Sequence, residues 1–163
     1  MKIRAFQAGD EIGIVGIYNH YIQNTAITFE EEPLSPQDMR DRVESYVKLY
    51  PWLVCIQNGK VVGYAYASKW HQRAAYRHTA EATVYVHQSK ERCGVGKALY
   101  AALLQELHIM GTHVVLGCIA LPNEGSVGLH EYFGFRKVAH FSEVGRKFEK
   151  WIDVGFWEKS FTH

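Results

Sequence analysis

The stretch AEATVYVHQSKERCGVGKALYAALLQELHIMG, residues 80–111, decides the architecture. Its first eight residues, 80–87, bring β-branched and aromatic side chains together over strand length. A short basic loop follows. From Gly94 to Met110 the residues Val95, Leu99, Leu103 and Leu107 recur every fourth position, which is helical spacing, and Gly111 ends the run. A strand therefore feeds a long helix through a turn that carries Gly94 and Gly96 at the helix start.

Working upstream, PWLVCIQ, the dipeptide Asn58-Gly59 and VVGYAYASKW read as a β-hairpin around a strong short turn signal. Ser35-Pro36 followed by Asp38 opens a helix with Met39, Val43, Tyr46 and Val47 on one face. Asp10 starts an earlier helix that runs to about Tyr21, and residues 2–6 form a short strand. Downstream, HVVLGCIA is apolar without alternation and predicts a buried strand. A short helix over 125–133 stops at Gly134, and strands over 135–141 and 151–159 close the chain. The order is strand, two helices, three strands, helix, strand, helix, two strands. It predicts an α/β (α+β) sandwich with a mixed, largely antiparallel sheet flanked by helices, and not a doubly wound fold.

The 163 residues, 47% hydrophobic, suit one domain over 1–163, with no repeat or linker composition. A net charge of +1, with Lys and Arg spread along the chain, argues against nucleic acid or an anionic membrane as partner. The first residues, MKIRAFQAGDEI, lack the apolar run of a signal peptide, and no stretch has membrane-spanning length. Three widely spaced cysteines fit reduced thiols and a cytoplasmic location. Nine histidines without HxxxH or CxxC spacing predict no metal site.

The loop SKERCGVGKALY carries the chemistry. A helix start exposes unpaired N–H groups and the positive end of the macrodipole, and glycines there let a phosphate reach the backbone. The geometry suits a pyrophosphate, with Arg92 and Lys97 adding charge. A Walker loop is excluded, because Glu91 and Ala98 occupy positions that need Gly and Ser or Thr. A dinucleotide fingerprint is excluded because Leu99 replaces its third glycine. A ligand-free strand-to-helix turn stays open on these residues alone.

ERCGVGK resembles the coenzyme A pyrophosphate loop of the GNAT superfamily, in which Gln or Arg precedes a Gly-x-Gly pair by three residues. Glu91 departs from that pattern, which removes one side-chain contact and leaves the backbone cradle. The chain is most similar, within that superfamily, to the phosphinothricin and methionine sulfoximine N-acetyltransferases. The similarity runs through YNHYIQNTAITFEEEP, YRHTAEATVYVH, LPNEGSVGLHEYFGF and VGRKFEKWIDVGFWEKSF, in that order.

The resemblance implies a GNAT-type sheet whose fourth and fifth strands splay, with acetyl-coenzyme A as co-substrate and no metal. The pantetheine arm then lies along Val84, Tyr85 and Val86 like an added strand. The pyrophosphate rests on Arg92, Cys93, Gly94, Val95, Gly96 and Lys97. Asn123 matches a pantetheine contact in relatives, and it reads equally well as a helix cap.

Glu81 matches the general base, and the backbone N–H near Val84 matches an oxyanion-type donor. Strand parity puts Glu81, Thr83 and Tyr85 on one face. Burial of Glu81 would raise its pKa to a useful value. In LHEYFGF, His130 stands where most GNAT enzymes place the tyrosine acid; a packed or exposed histidine is the competing interpretation. A covalent acetyl-cysteine route is disfavoured, because neither Cys93 nor Cys118 adjoins a base. Direct transfer in a ternary complex is expected.

Arg73 and Arg77, in SKWHQRAAYRHTAE, suit a carboxylate or phosphinate held by paired hydrogen bonds. Phe29, Glu31, Thr83 and Lys147 match the acceptor side in relatives, Lys147 from across a dimer interface. The resemblance thus implies a homodimer and a small amine acceptor: phosphinothricin, methionine sulfoximine or methionine sulfone. Two alternatives remain open, namely another GNAT amine (a polyamine, an antibiotic or a protein N-terminus) and a non-catalytic acyl-coenzyme A-binding module.

Overall fold

Local capping chemistry sets where the helices begin. The Asp10 carboxylate accepts from the Gln7 N–H at 2.8 Å and forms an ion pair with Arg4, fixing the entry to the first helix. Ser35 and Asp38 form a reciprocal capping box with Pro36 just inside the second helix. The computed structural model describes residues 1–162; His163, the last residue of the expected domain, lies outside them.

In chain order the elements are β1 (Lys2–Ala5), α1 (Asp10–Asn24), α2 (Pro36–Tyr46), β2 (Trp52–Gln57), β3 (Lys60–Lys69), β4 (Thr79–Val86), α3 (Val95–Ile109), β5 (Val114–Leu121), α4 (Glu124–Tyr132), β6 (Arg136–Lys147) and β7 (Lys150–Ser160). Their order and type are those expected from the periodicities. Seven strands form one sheet in the order β1-β2-β3-β4-β5-β7-β6, and every neighbouring pair is antiparallel except β4 and β5. The sheet is therefore mixed and largely antiparallel.

Each face of the sheet carries its own core. α1 and α2 bury Ile14, Ile17, Met39 and Val43 against Trp52, Val54 and Tyr64. On the other face, α3 packs Val95, Leu99, Leu103 and Leu107 against Leu53, Ala65, Ala82 and Val115. The side chains of α4, including Val127 and Leu129, join this second core. Alternation along β4 serves both: Ala80 and Ala82 belong to the α3 side, and Tyr85 packs with the α1 side.

Two expectations are corrected. The last hairpin is longer than the strands expected over 135–141 and 151–159, because β6 continues to Lys147 and pairs with Lys150. Its turn, Phe148-Glu149, places two non-glycine residues at φ 50° and 61°, so it has no sequence signature. Irregular register between Phe141 and Gly145, with Glu143 at φ 54°, bends the strand and masks its period. The second correction concerns Cys118, which is exposed although its strand reads as buried throughout. Val115 and Ile119 are covered from the α3 side, whereas the opposite face of β5 is open at Cys118.

Candidate functional site

The parallel pairing of β4 with β5 lasts for three positions only: Thr79, Ala80 and Glu81 against Val114, Val115 and Leu116. Beyond them β4 keeps only its β3 neighbour, and β5 only its β7 neighbour. The two strands splay. The resulting gap opens from Glu81 and Leu116 toward the loop that precedes α3. An extended molecule entering it meets strand edges with backbone groups to spare.

Glu81 is the last β4 residue paired across this gap, and its antiparallel partner on β3 is Ser68. Burial raises its pKa above the usual glutamate value. No hydrogen-bond donor reaches its carboxylate among the described residues, so nothing in the fold consumes the group. Thr83 lies two residues on and half-buried, over Tyr66 of the neighbouring strand. The Tyr85 ring is occupied by packing against Tyr18, Tyr21 and Tyr64, with centroids 5.2–5.5 Å apart. Any contact it makes in the gap is therefore through its backbone.

At the far end of the gap, Arg92 at φ 59° and Gly94 at φ 80° turn the chain into α3. The first N–H with a helical acceptor is that of Ala98, bonded to the Gly94 carbonyl at 3.0 Å. The N–H groups of Val95, Gly96 and Lys97 are thus the free first turn. A side chain on Gly96 would touch Val86 Cγ2 at 3.4 Å, so glycine lets the helix start approach the end of β4. Arg92, Cys93 and Lys97 are exposed, and the Lys97 ammonium sits 3.6 Å over the Tyr132 ring.

A contact that sequence reasoning missed ties this region to α1. The Tyr21 hydroxyl lies 2.6 Å from the Val86 carbonyl and 3.3 Å from Glu91 Oε1. Glu91, the departure from the loop pattern, is thereby drawn toward the end of β4. Burial, together with the charge of Glu91, pushes the Tyr21 phenol up to about 12.

His130 comes from α4 and is 4% exposed, and burial lowers its pKa. Its Nδ1 lies 2.7 Å from the Ser126 carbonyl and its Nε2 lies 2.8 Å from the Tyr100 hydroxyl. Asn123 caps the same helix, its side-chain oxygen accepting from the Ser126 N–H at 3.1 Å. Its amide nitrogen stays available. Tyr132 projects outward and is exposed.

The acceptor-side residues fall into two groups. Arg73 and Arg77 are exposed on a single helical turn, Ala74–Tyr76, between β3 and β4, beside the ring cluster of Trp70, His71 and Tyr76. Phe29, Glu31 and Lys147 meet elsewhere, where the tip of the β6–β7 hairpin crosses the loop between α1 and α2. Lys147 is only 3% exposed and donates to the Thr28 carbonyl at 2.8 Å. Burial lowers its pKa while Glu31 and Glu30 oppose that shift. The Phe29 ring rests on Gly145, where a Cβ would come within 2.3 Å of it. Within the chain, then, Lys147 and Gly145 of the hairpin are held against Thr28 and Phe29 of that loop. Glu30 completes the loop's anchorage through a two-pronged pair with Arg42 at 2.6 and 2.8 Å and a short hydrogen bond from the Tyr18 hydroxyl. Nothing in the local sequence signals the Glu30–Arg42–Tyr18 network.

Among the described residues there is no cluster of three or more His, Cys, Asp or Glu side chains arranged to hold a metal, and no helix is long and apolar enough to cross a membrane.

Residues 3–155 match the model of the acetyltransferase (GNAT) domain. The chain is 40% identical over 161 residues to a phosphinothricin N-acetyltransferase of Streptomyces viridochromogenes, covering 99% of this chain and 88% of that one. It is 34% identical over 157 residues to an L-methionine sulfoximine/L-methionine sulfone acetyltransferase of Salmonella typhimurium, covering 96% and 92%. A GNAT superfamily phosphinothricin acetyltransferase from Sinorhizobium meliloti, solved in complex with acetyl-coenzyme A, superimposes with a TM-score of 0.94 at 30% identity, covering 98% of this chain and 87% of that one.

Proposed function

This chain belongs to the GNAT acetyltransferase family, and we propose that it acetylates the amino group of a small amino-acid analogue: phosphinothricin, methionine sulfoximine or methionine sulfone. The observation that carries acetyl transfer to an amine is the half-buried Glu81 carboxylate, without a hydrogen-bond partner among the described residues, at the root of the β4–β5 gap, with free helix-start N–H groups at its other end. A base and a phosphate cradle on one strand–loop–helix unit are what transfer from a coenzyme A thioester to an amine requires.

Acetyl-coenzyme A lies with its pyrophosphate on Arg92–Lys97 and its pantetheine along Val84, Tyr85 and Val86, within reach of the Asn123 amide. Glu81 takes the proton from the acceptor ammonium, directly or through a water. The freed amine attacks the thioester carbonyl, which the N–H near Val84 polarises. His130 returns a proton to the departing thiolate. Transfer is direct, within a ternary complex. Arg73 and Arg77 hold the acceptor's anionic groups, and Phe29, Glu31, Thr83 and Lys147 shape the remainder of its pocket.

Residues 1–163 act as one domain, in the cytoplasm, where three free thiols are at home. The working unit is a homodimer, supported by exposed apolar side chains on the last hairpin, among them Phe141, Val144 and Trp151. A thiol-release assay with acetyl-coenzyme A and a panel of amines tests the proposal. Turnover with methionine sulfoximine or phosphinothricin is expected. Turnover confined to polyamines, antibiotic amines or peptide N-termini would replace the acceptor, and tight cofactor binding with no turnover on any amine would reduce the chain to a binding module.

A further inference from the structure

His130 is enclosed in a way that determines where its proton sits. A carbonyl oxygen can only accept, so the 2.7 Å contact with the Ser126 carbonyl requires the hydrogen on Nδ1. In the neutral ring Nε2 then carries a lone pair, and the Tyr100 hydroxyl at 2.8 Å donates to it. Tyr100, on α3, is fully buried, and its ring meets that of His130 edge-on at 5.0 Å. Phe135 closes another side at 5.1 Å.

The Nε2 edge is also the one that faces β5. Gly117 is the first β5 residue past the last β4 pairing, and a Cβ built on it would lie 2.2 Å from Nε2. His130 therefore reaches β5 through the space that this glycine leaves, at the root of the opening. Glu81 stands at the same level on β4, and its charge adds to the burial that holds the Tyr100 phenol protonated.

We propose that Tyr100 is a positioning residue for acetyl transfer: its hydroxyl holds the Nε2 edge of His130 at the root of the β4–β5 gap and serves as that nitrogen's partner in both protonation states. The inference rests on His130 being the group that protonates the thiolate. Glu81 has already taken the first proton of the acceptor ammonium; once the amine has attacked, Nε2 takes the second from the nitrogen of the tetrahedral adduct and passes it to sulfur. An N–H bond breaks, an S–H bond forms, and the imidazole is regenerated. Nε2 has a single in-plane site, so while the ring is charged its one N–H is shared between the Tyr100 oxygen, whose hydroxyl has rotated from donor to acceptor, and the departing sulfur. A phenol does this at no cost in position, because a hydroxyl has one donor and two acceptor sites. Phenylalanine would fill the same space and leave Nε2 unpartnered in both states.

The test is Tyr100→Phe, followed by steady-state kinetics across pH with acetyl-coenzyme A and methionine sulfoximine. A loss in kcat of tenfold or more is expected, with both KM values within about twofold and an altered pH profile. A purely structural tyrosine would lower the thermal midpoint and leave kcat and its pH profile in place; that result overturns the inference. Nitrogen-15 NMR of the unmodified enzyme gives a second measure that does not depend on a variant folding. It is expected to find the His130 proton on Nδ1, and a proton on Nε2 in the neutral ring would overturn the assignment. His130→Gln separates the two levels. Undiminished kcat there removes His130 as the acid, whereas a large loss there beside a normal Tyr100→Phe removes only the role of Tyr100.

Discussion

Gly145→Ala is the sharpest probe of how the last hairpin builds the acceptor side. The new methyl would sit 2.3 and 2.4 Å from two carbons of the Phe29 ring, more than an ångström inside ordinary contact. Backbone retreat is opposed on both sides of the site. Gly145 is paired with Ile152, and two residues on Lys147 is anchored to the Thr28 carbonyl. Phe29 is 41% exposed, so its ring swings outward and gives up the covered remainder of its surface. Full burial of a phenylalanine contributes about 1.5–3 kcal/mol, so the part lost here is about 1–2 kcal/mol. That is the expected loss of fold stability, read by urea titration, and the displaced ring should also raise the acceptor KM. The KM for acetyl-coenzyme A should not move. The assay is thiol release with each substrate varied in turn, repeated on Phe29→Ala and on the double variant. The three nearest neighbours of the added methyl are all carbons of that ring, so Gly145→Ala should cost little in the Phe29→Ala background. Additive effects in this cycle would refute the reasoning, since they would mean that the two residues do not act through one contact.

Three further outcomes are expected. Glu81→Gln should lower kcat by roughly 10²–10⁴-fold, and the wild-type rate should fall as pH drops through a pKa above the ordinary glutamate value. The sign on stability is opposite: a raised carboxyl pKa means that the folded state binds more protons between the two values, so wild-type stability declines as pH rises through that window. Urea titrations should accordingly find Glu81→Gln more stable than wild type near neutral pH and equal to it in acid; equal stability at both would refute burial as the cause. Glu91→Gln removes a negative charge from the phosphate cradle, and one exposed charge at such range is worth roughly 0.5–1 kcal/mol. Acetyl-coenzyme A should then bind roughly two- to fivefold tighter by calorimetry, with the gain shrinking at high salt. Glu149→Gly relieves a left-handed non-glycine residue at φ 61° and should stabilise the fold by about 1 kcal/mol, or roughly 2–4 °C in thermal midpoint; an unchanged midpoint would mean that the turn is not strained.

How much of this was legible in the chain depended on whether the signal was local. The Asn58-Gly59 turn was readable because both residues take positive φ readily, at 49° and 74°. The Phe148-Glu149 turn takes the same region with residues that resist it, and it escaped notice. The strand–loop–helix unit over 80–111 was readable for the same reason as the first turn: four aliphatic residues at helical spacing and two glycines at a helix start express backbone requirements of their own positions. Glu81, by parity and by resemblance, could be put on the correct strand.

What the amino-acid sequence by itself determined, then, was the order and type of the elements and the helix-start cradle. Each depends on residues within a few positions of one another. Tertiary structure alone decided where β4 and β5 part, that Glu81 is half-buried without a partner among the described residues, and that Tyr100 and His130, thirty residues apart, share one hydrogen bond. It also decided that Lys147 is held by the Thr28 carbonyl, 119 residues away. Desolvation and side-chain partnership come from surfaces that meet only once the sheet is assembled, and no local pattern encodes them.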